Sequence, residues 1–200
     1  YKNSKGWDED ILENVVPPQR IVTYGIVQAG PHIENGVPYI KSGDIKNSTI
    51  DVSNLSRTSR EIANSFKRYE VNKGDIIMSI RATVGTVALL PDELDGANLT
   101  QGTARISPGP RLNRLFLFYY LQSTGIQHWI SKQVKGVTFR EITLTRLREM
   151  PVLIPPIDYQ NKFAEIVLKS QKLKEKYNTS LAEMENQFNS LMQKAFRGEF

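Results

Sequence analysis

The side chains of this 200-residue chain that could do chemistry are cations, amides and hydroxyls at turns. The stretch GDIIMSIRATVGTVALL, Gly74 to Leu90, sets Arg81 and Thr83 between two apolar, β-branched runs, with Gly85 close behind. The runs, Asp75 to Ile80 and Val84 to Leu90, have the character of buried strands, and the interruption reads as a hairpin or a kinked strand. It also reads as a place where backbone is brought close to a ligand with an arginine beside it. The two readings make the turn either a core-forming feature or a recognition site.

The signatures of covalent and metal chemistry are missing from the sequence. With no Cys, disulfides, thiolate zinc sites and cysteine nucleophiles are excluded, in agreement with a reducing compartment. His32 and His128 are the two histidines, too few for triad or metal chemistry and better explained as surface or packing residues. The sequence has no G-x-x-x-x-G-K-[ST], G-x-G-x-x-G, H-E-x-x-H or G-x-S-x-G pattern. VPPQ and IPPI lack the polar first residue of an amino-methyltransferase Asn/Asp-Pro-Pro-aromatic run, and no glutamate has Lys two positions on, as a metal nuclease would require. The acids of PDELD (Pro91 to Asp95) read as a solvated turn before Gly96 rather than a metal site.

The formal net charge is +5, enough to suggest a polyanionic partner. Arg57, Arg60, Lys67, Arg68 and Lys73 form one basic stretch, and Lys132, Lys135, Arg140, Arg146 and Arg148 another. Convergence of the two in the fold would make a phosphate-tracking face; scattered solvated cations are the alternative.

A chain with 40% hydrophobic and 24% charged residues suggests one ordinary globular domain with an extra element. Short strand-like runs (VPYIKSGDI, GDIIMSI, TVALL, TARISPGP, MPVLIPP) alternate with helical patches at Ser59 to Tyr69, Arg114 to Ser123 and Gly125 to Val134, without βαβ regularity. The expected class is α+β: a mixed α/β domain over residues 1–153, then a coiled-coil-type helix within 154–200. No apolar run approaches the roughly 20 residues of a membrane helix and no signal-peptide pattern opens the chain, so the expectation is a soluble, cytoplasmic protein. A first residue other than Met suggests a trimmed chain or a fragment.

From Tyr159 to Ala195 there is neither Pro nor Gly; Pro155 and Pro156 stand where a helix begins and Gly198 where it stops. Phe163, Ile166, Ser170, Leu173 and Tyr177 follow 3 and 4 steps, and Leu181, Met184, Phe188, Leu191 and Ala195 resume them after a slip of one residue. A helix of about 37 residues is about 55 Å long, against a radius of gyration of about 16 Å for a domain this size. The stripe therefore calls for a partner helix on Ile166, Leu173, Leu181, Met184, Phe188 and Leu191, the alternative being that it folds back along its own domain.

The order VPYIKSGDI, GDIIMSIRATVGTVALL, GANLTQGTARI, FLFYYLQS, PVLIPPIDYQNKFAEI and LMQKAFRGEF resembles one half of the specificity subunit of type I restriction-modification enzymes, from about Gly6-Trp7 to Phe200. Ala82 stands where glycine is expected, and Asp158-Tyr159 replaces an acidic pair before Gln160. The resemblance implies a target-recognition domain followed by a spacer helix, a unit that a full subunit repeats twice with its helices antiparallel. It implies no active site and no cofactor in this chain. Modification subunits using S-adenosylmethionine methylate adenine N6, and a restriction subunit using ATP and Mg translocates and cuts.

Double-stranded DNA is then the expected ligand, and residues with paired donors and acceptors at loops become candidates to read bases. Lys135, Thr138 and Arg140, beside Gly136, form the favoured loop; Lys41, Ser42, Lys46 and Asn47 form another; Arg81 and Thr83 form the opening turn. The helix implies a homodimer or pairing with the second half of a longer subunit. Two other functions fit the residues, a stand-alone dimeric DNA-binding regulator and an assembly scaffold that does not touch DNA.

Overall fold

The computed structural model describes residues 5–136 and 140–199. Contacts divide the chain into Tyr1–Gln160 and Asn161–Phe200, and the class is α+β with a long C-terminal helix, as expected.

In the first unit, the apolar runs flanking Arg81 form the strands Ile76–Ser79 and Val87–Leu89. They pair antiparallel, with Ile76 opposite Leu89, Ile77 opposite Ala88 and Met78 opposite Val87, so the interruption is the connection of a hairpin. Thr103–Ile106 pairs with the free edge of Ile76–Ser79, and Thr23–Tyr24 with Thr103–Ile106, completing a four-stranded antiparallel sheet. Every residue of the two middle strands is buried, because this sheet is covered on both faces; hence the runs are continuous rather than alternating. A second sheet holds Arg57–Thr58, Val37–Ile40 and Asn98–Leu99, the last pair parallel. Ile40 and Leu99 of that sheet share one apolar cluster with Ile77, Ala88 and Leu90 of the hairpin. Each such aliphatic side chain contributes about 1.5–3 kcal/mol by leaving water, which makes the hairpin base a rigid platform.

Asp8–Ile11 pairs antiparallel with Pro151–Ile154, joining the two ends of this unit. Pro151 opens its strand and has one strand partner, the position at which a missing N–H costs least. Helices occupy the three expected patches, at Arg60–Ser65, Arg114–Gln122 and Thr124–Gln133. Ser59 Oγ accepts from the Ile62 amide, and Asn113 Oδ1 from the amides of Leu115 and Phe116, which are N-caps of the usual chemistry.

The long helix runs Ile157–Arg197, 41 residues, or about 60 Å at 1.5 Å per residue. Its first turn is tied down by Gln160, which is fully buried. Gln160 Oε1 accepts from the Asn113 amide at 2.8 Å, and its Nε2 donates to the carbonyls of Arg111 at 3.0 Å and Pro155 at 2.7 Å. At the other end Gly198 takes φ +71°, its amide reaching Ala195 O and that of Glu199 reaching Lys194 O, a Schellman stop. Ile166, Leu173, Leu181, Met184, Phe188 and Leu191, the predicted stripe, are each 51–61% exposed. Among the described residues no helix is long and apolar enough to cross a membrane.

Candidate nucleic-acid interface

The connection between the hairpin strands is built largely from its own polar groups. Ser79 Oγ donates to Arg81 O at 2.7 Å, Thr83 Oγ1 donates to Ser79 Oγ at 3.2 Å, and the Gly85 amide donates to Ser79 O at 2.9 Å. Ala82 sits at φ +59°, a left-handed conformation that costs an L-residue about 1–2 kcal/mol. Glycine is the residue the geometry prefers there. Gly85 is at φ +92°, and a Cβ on it would stand 2.8 Å from Gln127 Oε1. Gln127 Nε2 donates to Gly85 O at 3.0 Å and to Leu121 O at 2.7 Å. What approaches the backbone at Gly85 is thus the helix Thr124–Gln133.

Parts of the three candidate loops, far apart in sequence, meet at this turn, the Lys41–Asn47 loop through Ser42. The amides of Ile80 and Arg81 both donate to Gly102 O, at 2.9 and 3.3 Å, and Ser42 Oγ donates to the same oxygen at 2.7 Å. From the other side the Ala82 amide donates to Arg140 O and the Ile142 amide to Ile80 O, each at 3.0 Å, while Lys135 and Glu141 exchange backbone bonds of 2.9 and 3.0 Å. Arg81 Nε donates to Glu141 Oε2 at 3.1 Å across the junction, both side chains being nearly half exposed. A surface pair of that kind is worth about 0–1 kcal/mol, so the backbone bonds, not the ion pair, hold the loops together.

The remaining candidates are placed as follows. Lys135 and Arg140 are exposed, with side chains that have no partner among the described residues; Thr138 lies outside the described residues. Lys41 turns away, its Nζ donating to Ser56 Oγ at 2.8 Å and standing 5.9 Å from the centre of the Tyr39 ring. Lys46 and Asn47 are exposed on the hairpin Ile45–Lys46 to Thr49–Ile50. Its two-residue turn has Asn47 at φ +50° and Ser48 at +62°, a type I′ pattern. Ser48 Oγ donates to Gln122 Oε1 at 3.0 Å, which ties this hairpin to the end of the helix Arg114–Gln122.

Several cations of the two basic stretches are consumed internally. Arg148 donates from Nε and Nη2 to Val22 O, Arg146 pairs with Glu149 at 2.7 Å, Lys73 pairs with Asp92, and Arg57 Nη1 donates to Gly36 O. Lys73 and Asp92 also account for part of the PDELD acids. Arg57 and Arg60 line a different cleft, with Asn64, Glu93 and Asp95, and Lys73 lines another, with Arg20 and Asp75. Outside both stretches, Arg105 is 2% exposed on a central strand and donates to Glu70 O at 2.6 Å. Burial, and then the nearby Arg20, push its pKa down from the usual guanidinium range. The basic surface is therefore narrower than +5 suggests, and Lys132, Lys135 and Arg140 are what remains of the second stretch.

Residues 27–185 match the family model described as the type I restriction modification DNA specificity domain. The chain belongs to this family. The specificity domain is 31% identical over 198 residues to the type I restriction enzyme EcoBI specificity subunit of Escherichia coli, covering 96% of this chain and 42% of that one. Its fold is shared with a chain from a structural study of complex assembly and conformational transition in the type I R-M system, at TM-score 0.66 and 22% identity over 100% of this chain and 48% of that one. It is shared too with the HsdS subunit from Thermoanaerobacter tengcongensis, at TM-score 0.64 and 19% identity over 100% and 47% of the two chains. The specificity domain thus spans less than half the length of each of these relatives.

Sequence reasoning missed Glu141, Gly102, Gln101 and Tyr24. Glu141 and Gly102 organise the junction, and Gln101 and Tyr24 line a small pocket of about 170 Å³ beside Arg81. GANLTQGTARI carried part of the signal, an amide and a glycine in front of a buried strand; the pairing of Glu141 with residues 60 positions away had no local sign.

Proposed function

We propose that this chain is a sequence-reading unit of a type I restriction-modification specificity subunit. Residues 1–153 read one half of a bipartite DNA duplex target. Residues 154–200 are the spacer, pairing through Ile166, Leu173, Leu181, Met184, Phe188 and Leu191 with a second helix, in another copy of the chain or in the other half of a longer subunit. The chain catalyses nothing. It docks modification subunits that methylate adenine N6 with S-adenosylmethionine and a restriction subunit that uses ATP and Mg, and it works in the cytoplasm, where the genome is.

The observation that carries this reading is the family match over residues 27–185. The meeting of the loops at Glu141 and Gly102 supports DNA contact there, by Lys135, Thr138 and Arg140 first, with Arg81, Thr83 and Ser42 at the centre and Lys41, Lys46 and Asn47 as outer candidates. Cations without internal partners suit phosphates, and each phosphate neutralised steepens the fall of log affinity with log salt by about 0.9. The test is methyl transfer to duplex DNA by the purified chain, by modification subunits and by the two together. Site-specific adenine methylation by the mixture alone is expected; methylation by this chain alone, or at the same sites by modification subunits without it, contradicts the proposal.

A further inference from the structure

The pocket of about 170 Å³ beside the loop junction has an apolar floor of Ile80, Ile142 and Leu144 and a rim that includes Tyr24, Arg81 and Gln101. It is smaller than the roughly 300 Å³ at which small-molecule sites begin, so it suits a protruding group rather than a free cofactor. Two rim residues are held by the backbone while their side-chain ends are unused. The Gln101 amide N–H donates to Ile26 O at 3.1 Å and the next residue, Gly102, accepts the three bonds of the junction, yet the side-chain amide of Gln101 has no hydrogen-bond partner among the described residues. Tyr24 is fixed opposite Ala104 in the sheet and is 37% exposed. A glutamine on rigid backbone offers one donor and one acceptor side by side. Apolar side chains next to it offer a seat for a methyl group.

That pairing matches one base pair. In the major groove an A·T pair presents the adenine N7 acceptor and N6 donor together with the thymine C5-methyl, whereas a G·C pair presents two acceptors on guanine and no methyl. Resting on the reading of this chain as a DNA specificity unit, we infer that Gln101 recognises an A·T pair of the half-site. Its side-chain amide bonds adenine N7 and N6, the thymine methyl seats on the Ile80, Ile142 and Leu144 floor, and Tyr24 walls the recess. Arg81, whose backbone amide donates to Gly102 O, borders the same rim.

The experiment uses the assembled methyltransferase, carrying wild-type chain, Gln101→Ala or Gln101→Glu, on a duplex library randomised across the half-site, with adenine methylation read by sequencing. In Gln101→Ala, discrimination for A·T at one position falls by about 5- to 160-fold, the range of one bidentate base contact, and other positions keep their preference. In Gln101→Glu, which can only accept, preference at that position moves towards cytosine, whose N4 donates. Preference unchanged at every position, or eroded equally at all of them, overturns the inference. If Gln101→Ala does not fold or assemble, judged by thermal melting and gel filtration, Gln101→Glu decides by the same criteria. A wild-type sample whose motif persists when this chain is left out sinks the specificity-unit reading itself, a result distinct from failure of the Gln101 variants.

Discussion

Lys135 and Arg140 differ from most other cations of their stretch in having side chains with no described partner, while Arg146 and Arg148 are taken up by Glu149 and Val22 O. In the assembled enzyme, Lys135→Ala and Arg140→Ala are each expected to weaken DNA binding. A phosphate contact shows as a loss of about 0.9 in salt slope with an unchanged motif, and a base contact as about 1–3 kcal/mol with relaxed specificity at one position. Titrations at several salt concentrations check this; unchanged affinity in both variants removes the loop from the interface. Ala82 makes a second prediction at this scale. Because it holds φ +59°, Ala82→Gly relieves about 1–2 kcal/mol of strain against about 0.4–1 kcal/mol of extra unfolded-chain entropy. Thermal melting should show a Tm higher by about 2–4 °C for each kcal/mol gained, and a lower Tm contradicts the assignment of strain. The glycine expected at that position from family resemblance was thus a legible constraint. The roles of Thr83 and Gly85 were less so, since their partners, Ser79 Oγ and Gln127, depend on a register and a helix packing that no local pattern specifies.

Elements were legible where they are self-capping and periodic. The hairpin around Arg81, the capped helices after Ser59 and Asn113, and the long helix from the double proline to Gly198 all follow from patterns within a few residues. The strands Asp8–Ile11 and Thr23–Tyr24 were not read, because an acidic edge strand and a two-residue strand exist only through long-range partners, Pro151–Ile154 and Thr103–Ile106. Gln160 combines the two cases: it opens the helix as the sequence suggests, but its burial is set by a loop 47–49 positions earlier. Gln160→Ala leaves the part-buried Asn113 N–H and Arg111 carbonyl and the buried Pro155 carbonyl without their Gln160 partner, and a fully buried unpaired group costs about 1–3 kcal/mol. A net loss of about 2–4 kcal/mol, seen as a shift of the denaturation midpoint, is the expected result; a change below about 1 kcal/mol means that water or a rearranged side chain takes over these bonds.

For the molecule as a whole, the exposed stripe is what calls for a partner. A helix of about 60 Å whose stripe residues Ile166, Leu173, Leu181, Met184, Phe188 and Leu191 are 51–61% exposed is expected to pair with a second helix of its kind, and two copies of one chain close most simply as a two-fold dimer. Sedimentation of the 200-residue chain should show a dimer, and Leu173→Asp with Leu191→Asp a monomer; a wild-type monomer with a folded helix contradicts the pairing. In such a dimer two identical units would read identical half-sites in opposite orientation, and the expected target is an interrupted palindrome with a gap set by the spacer; pairing within a longer subunit would give an asymmetric target instead. Seven residues inserted near Ser180 lengthen the helix by about 10 Å, or about three base pairs at 3.4 Å each, and sequencing of methylated sites should show the same half-sites with a longer gap. That this chain chooses the DNA sequence at which partner subunits act is checked by methylome sequencing of cells that carry the modification subunits with and without it. A methylated motif that disappears when the chain is removed and returns when it is restored is the predicted result; the same motif persisting without the chain contradicts the account.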